Sequence, residues 1–257
     1  MGRRPIWSES TGRARSILER LPNHYHLGSA NRTVTRFPPH SQEMIRARIA
    51  PSVRTKVTEA FHELTFDALS TVCRVQFTCG DVRLAHHFQQ EVWHWVARFE
   101  AQYSCFVPDS LIGRINAAAG SRWVDVDAET EALFDLCEEM VNLTRGAFVP
   151  TALSLIRLWN WKSRPKAQPT ATAVAGQSEL VGWNKIQRRR GGIFLPHLGM
   201  CLDLGAIGKE YAVDRMLTLA LERGNGDVLV GFGQDLGARP ESPGNIRTPP
   251  TMGQGNW

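Results

Sequence analysis

The run Asp203-Leu204-Gly205-Ala206-Ile207-Gly208-Lys209-Glu210-Tyr211-Ala212-Val213-Asp214 limits what this chain can fold into more than any other stretch. It follows an apolar triplet, Met200-Cys201-Leu202, that reads as the end of a buried strand. It leads into a helical pattern with Val213, Leu217, Ala220 and Leu221 on one face. Two glycines and a lysine therefore fall where strand is expected to become helix. The first amides of a helix lack intrahelical acceptors, and the helix dipole is positive there. Anions suit such a place, phosphates above all. Gly205 and Gly208 allow close approach of a ligand to the backbone, and Lys209 adds a compact charge. The run is neither a Walker loop nor a G-x-G-x-x-G fingerprint. Strand–glycine–helix junctions are also common in proteins that bind no phosphate, so the rest of the chain must decide.

Charge is unevenly placed. The formal net charge is +5, yet residues 1–56 alone carry +8 and the remainder −3. The excess belongs to a basic extension that is either a solvated arm or a surface for polyanions. That extension has no nucleic-acid-binding motif and no aromatic–basic interleaving, so nucleic acid is not the favoured partner. No apolar run approaches a transmembrane span, and Arg3-Arg4 are not followed by the apolar segment of a secretory signal. The five cysteines (73, 79, 105, 137 and 201) show no C-x-x-C spacing and read as free thiols of a reducing compartment. A cytoplasmic location is the expectation.

Along the chain, residues 1–63 are expected to be basic and mostly irregular, with a short helix near Ile17–Leu21 and a break at Phe37-Pro38-Pro39. The folded body is expected over 64–238. Alternation over residues 71–79 predicts a half-buried strand, and the helical spacing that follows runs to Phe99. On that helix His87, Glu91 and His94 share a face; they are a possible metal set lacking a fourth ligand. Ser110 and Asp127 are predicted helix caps, and Gly146 a left-handed stop. Residues 163–178 read as a loop, residues 184–195 as a hairpin, and residues 227–232 as a buried strand. The Gly/Pro-rich segment 239–257 carries no pattern.

Three blocks, in order, resemble the FAD:protein FMN transferases of the ApbE family. That family's junction D-L-G-G-I-A-K-G-Y-A-V-D is matched by Asp203 to Asp214, and its loop G-A-F-D-P-T by Gly146 to Thr151, with Leu158-Trp159 for a later L-W. An A-M-G-T start, a loop of the L-S-T-Y kind and a serine–isoleucine–asparagine helix are matched by Ala68 to Thr71, Ser104 to Phe106 and Ser110 to Asn116. Gly233-Gln234-Asp235 echoes a G-G-D element. The resemblance implies an α+β fold, with mixed sheets flanked by helices and incomplete at its C-terminal end. It implies transfer of FMN from FAD to a threonine or serine hydroxyl of a target flavoprotein, with release of AMP and a requirement for magnesium. It implies FAD contacts at Leu69, Phe106, Ala147, Phe148, Val149, Asp203 and Lys209, and a magnesium ligand in the backbone carbonyl of Ala206. It assigns no catalytic residue.

The chain also departs from the family pattern. Val149 stands where the loop has an aspartate; losing such an acceptor costs about 1–3 kcal/mol where its partner stays buried. Glu210 replaces a glycine and is expected to bring a carboxylate near the phosphates; Leu69 and Phe106 replace methionine and tyrosine. No counterpart of the family's later T-S-G and H-I-I-D-P segments follows Asp235. Weak turnover, or a protein that binds the nucleotide without transferring it, is the alternative expectation. An unpaired sheet edge is expected at residues 228–232.

Overall fold

The computed structural model describes residues 39–159 and 168–239. The expected helix near residue 17 and the Gly/Pro-rich segment beyond residue 239 lie outside the described residues. Helix α1 is Pro39–Ile49, followed by strand β1 (Arg54–Val57), β2 (His62–Ala68), β3 (Thr71–Thr78) and the long helix α2 (Val82–Tyr103). Helix α3 (Leu111–Ala117), strand β4 (Val124–Asp125), helix α4 (Ala128–Leu143) and the single turn α5 (Leu153–Ile156) come next. Helix α6 (Ala171–Ser178), strands β5 (Gln187–Arg189) and β6 (Gly192–Phe194), helix α7 (Gly205–Glu222) and strands β7 (Gly226–Phe232) and β8 (Asp235–Arg239) complete the order.

The larger sheet has the order β1-β2-β3-β7-β8, and the smaller one β4-β6-β5. The expected α+β class is found, and every described pairing is antiparallel. On β2 and β3 alternate residues point inward, with Leu64, Phe66, Cys73, Val75 and Phe77 fully buried. Helices α2 and α7 join that core through Phe88, Val92, Val96, Ala212 and Met216. Asp81 caps α2, accepting from the Arg83 and Leu84 amides. The predicted caps Ser110 and Asp127 accept from Gly113 and Thr130, and Gly146 takes the left-handed conformation at φ 82°. All five cysteines are free, three of them buried. No helix among the described residues is long and apolar enough to cross a membrane.

Four expectations are corrected. Residues 39–57 are not irregular: α1 forms because Pro39 opens the helix, where a missing N–H costs nothing, and because Ile45 and Ile49 bury one face. Residues 171–178 are a helix because Thr170 caps an alanine-rich turn, accepting from the Ala173 amide. Residues 200–202 are buried but join no sheet. The Asn116 side chain pairs there with Leu202, its amide donating to the carbonyl at 2.9 Å and its oxygen accepting the N–H at 2.7 Å. One side-chain amide does the work of a neighbouring strand. Finally, β7 is not an edge. Gly233-Gln234 turns the chain back, with Gly233 at φ 71°, and β8 pairs with β7 from Phe232↔Asp235 to Val228↔Arg239.

Candidate functional site

The first turn of α7 opens into a cleft. Its other walls are the β2–β3 turn, the last turn of α2 and the loop after it. Leu69, Ser70, Phe99, Glu100, Tyr103, Ser104, Cys105, Phe106, Asp203, Leu204, Gly205, Gly208 and Lys209 line it. Four residues expected at a ligand site thus come together: Leu69, Phe106, Asp203 and Lys209. They stand up to 140 positions apart in sequence. The cleft interior is about 90 Å³, below the roughly 300–1,000 Å³ that encloses a drug-sized ligand, so it seats one part of a large molecule.

The first amides of α7 are largely paired within the chain. The N-cap residue is Leu204, which offers no side-chain acceptor. The Gly205 amide donates to Asp203 Oδ1 at 2.9 Å, and the Ile207 and Gly208 amides fold back onto the Leu204 carbonyl. The Lys209 ammonium lies over the same turn, donating to the Gly205 carbonyl at 2.9 Å. Phe99 closes the inner side. It stacks on Trp95 and on Tyr211 and packs against Gly208. Tyr103 and Tyr211 are anchored by Thr130 and Glu129, and burial pushes both phenols up. Phe106, two-thirds exposed, projects at the rim.

Asp203 is fixed from several directions. Its N–H donates to the Pro150 carbonyl at 2.9 Å, which ties the loop Gly146–Thr151 to the junction. Burial and the Asp203 carboxylate push the Cys105 thiol up to about 12, so the thiol stays protonated beside it. Arg157 donates to Cys201 Sγ at 3.1 Å, one turn of chain from the junction. Ala147, Phe148 and Val149 do not line the cleft; the Phe148 amide donates instead to Thr144 Oγ1 at 3.0 Å. Ala206 is exposed on the helix start. Glu210 does not line the cleft either: burial, Asp235 and Asp214 raise its carboxyl, which places it on the β8 side of the helix.

Ser70, Phe99, Glu100 and Tyr103 were not expected at the site. The i, i+4 spacing of Phe99 and Tyr103 marks a helix face, yet nothing local distinguishes a cleft wall from core. Leu69 and Ser70 both adopt left-handed backbone, at φ 53° and 60°, which costs non-glycine residues roughly 1–2 kcal/mol each. Strain of this kind gathers at functional sites. Among the described residues, His87, Glu91 and His94 form no metal set, since Glu91 is taken up by Arg223.

The ApbE family model matches residues 69–249. The chain belongs to the ApbE family. It is 28% identical over 188 residues to the FAD:protein FMN transferase of Treponema pallidum (strain Nichols), covering 70% of this chain and 52% of that protein. Among solved structures it is similar to the flavin transferase ApbE of Vibrio cholerae, at 19% identity and a TM-score of 0.64, over 73% of this chain and 60% of that one. It is also similar to the ApbE protein of Thermotoga maritima, at 24% identity and a TM-score of 0.63, over 69% and 58%. The two structures establish the ApbE fold. The chain spans about half the length of the curated relative it matches. The family match begins at residue 69, so α1, β1 and all of β2 stand upstream of it.

Proposed function

We propose that this ApbE-family chain binds FAD with the diphosphate against the first turn of α7 and passes FMN to a threonine or serine hydroxyl of a target flavoprotein. The observation that carries this reading is the convergence of Leu69, Phe106, Asp203 and Lys209 on one cleft at a helix start. The positive end of the helix dipole favours the diphosphate, which would displace the Asp203 carboxylate or the turn contacts that now hold the first amides. Lys209 releases the Gly205 carbonyl and turns its ammonium to the phosphates, countering charge that builds on the departing AMP. Leu69, Tyr103 and Phe106 supply apolar surface for one ring of the ligand. The acceptor hydroxyl oxygen bonds to the FMN phosphorus, the bond from that phosphorus to the AMP oxygen breaks, and the hydroxyl proton passes to the medium.

The family resemblance implies magnesium at the Ala206 carbonyl. The described residues do not assemble such a site. They contain no cluster of three metal-ligating side chains, and the one carboxylate of the cleft beside Ala206, Asp203, already holds the Gly205 amide. Magnesium takes six oxygens in a near-ideal octahedron. No step above is routed through the metal.

Titration with FAD, followed by flavin fluorescence, tests the binding step; incubation with FAD, magnesium and a protein carrying an acceptor threonine tests transfer, read as fluorescent flavin on the target in a denaturing gel. Saturable quenching and a labelled target are expected. Quenching without label would leave a nucleotide-binding protein. A parent chain that ignores FAD would overturn the reading.

A further inference from the structure

We propose that Arg48, on the helix upstream of the family match, is a positioning residue for the cleft, acting through Glu100 on the Leu69-Ser70 turn. The loop between β2 and β3 has two residues, since Ala68 pairs with Thr71 across it. Both loop residues are left-handed, the geometry that a tight hairpin demands and that Asn-Gly serves best. Leucine and serine hold it here only with help. The Leu69 N–H donates to Glu100 Oε2 at 2.9 Å. The other oxygen of that carboxylate takes the Arg48 guanidinium at 2.7 Å. The Glu100 side chain is 12% exposed, so its charge needs a partner, and among the described residues Arg48 is in ion-pair contact with it. Leu69, Ser70 and Glu100 all line the cleft, whereas Arg48 does not. Ile45 and Ile49 bury the same helix in the core, which fixes where the guanidinium stands. A chain of two charge-assisted contacts thus runs from α1 to a strained wall of the ligand site.

The proposal deepens the flavin-dinucleotide reading and rests on it for its binding arm. The test uses the full chain, the Arg48→Ala, Arg48→Lys and Glu100→Gln variants, and the double variant Arg48→Ala with Ser70→Gly. Hydrogen exchange at the Leu69 amide is measured without ligand, and FAD affinity by fluorescence. Exchange at Leu69 is expected to quicken in Arg48→Ala and in Glu100→Gln. FAD affinity is expected to weaken about fivefold in Arg48→Ala, the scale of one partly exposed ion pair, and less in Arg48→Lys. Glycine takes φ 60° without penalty, so the Ser70→Gly change should restore affinity in the double variant. A merely structural role for Arg48 would show no such rescue. Unchanged exchange at Leu69, or an affinity loss that Ser70→Gly does not repair, overturns the proposal. A parent that fails to bind FAD would overturn the flavin reading, while the exchange measurement would still decide the Arg48–Glu100–Leu69 linkage.

Discussion

The two ends of α7 are finished in opposite ways. At the C-terminal end the chain turns back onto the last carbonyls of the helix. Gly224 turns left-handed at φ 69° and donates to the Leu221 carbonyl, and the Asn225 amide reaches back to Ala220. Arg223 closes the end with two 2.6 Å contacts to Glu91 on α2, placing a cation where the dipole is negative. At the N-terminal end Leu204, the N-cap residue, contributes no side chain, the Asp203 carboxylate takes the Gly205 amide, and Lys209 donates to the Gly205 carbonyl of its own helix beside the cleft. The contrast is one of surroundings: an ion pair to a second helix closes one end, while a cleft and an ammonium border the other.

The contrast is easiest to break at Lys209. Lys209→Ala should weaken FAD binding roughly 10- to 100-fold, the range of one lost hydrogen bond to a charged group, with little change in the urea midpoint. Equal affinity in parent and variant would remove the ammonium from the site and leave the two ends alike in function. Next in size is Gly224→Ala at the sealed end. Nothing crowds that position, so the cost is conformational only, about 1 kcal/mol in the urea midpoint, with FAD affinity unchanged. A loss of affinity there would mean that the ends communicate through the helix.

What the sequence disclosed follows the same division. The cleft end was legible, because close-approach glycines and a lysine crowd into five consecutive positions, Gly205 to Lys209. Helix caps such as Ser110 and Asp127 were legible for the same local reason. The walls of the cleft were not. Glu100 matters only because Leu69 and Arg48 meet it, and those residues come from 31 positions before it and further. Residues 200–202 have the composition of a strand, and only the distant Asn116 shows what pairs with them. β8 was hidden because Gly237 and Ala238 carry no apolar pattern. Its glycine is there because a Cβ at 237 would come within 2.7 Å of Val213 and Leu217 on α7. Pro39 was misread as a breaker when it opens a helix. Interactions written into a few adjacent residues can be read; those that need a partner across the fold cannot.

The smallest effect sharpens the comparison through pH. Arg223→Ala should lower stability by about 0.2–1 kcal/mol at pH 7, since both partners are partly exposed and the pair is screened by solvent. The hydrogen bond from Arg223 holds the Glu91 carboxyl below its ordinary 4.5, and His87 adds to the same direction. A carboxyl depressed on folding stabilises the native state above its unfolded value and loses that contribution as pH falls through its folded value. The gap between parent and Arg223→Ala should therefore be full at pH 7, begin to shrink near pH 4.5 and close below it. Urea midpoints at several pH values between 3 and 7 measure it. A gap that stayed constant across that range would show that Arg223 seals the helix by packing its stem and not by its charge. The end opposite the cleft would then be closed without electrostatics, and the dipole would be in play at the N-terminal end alone.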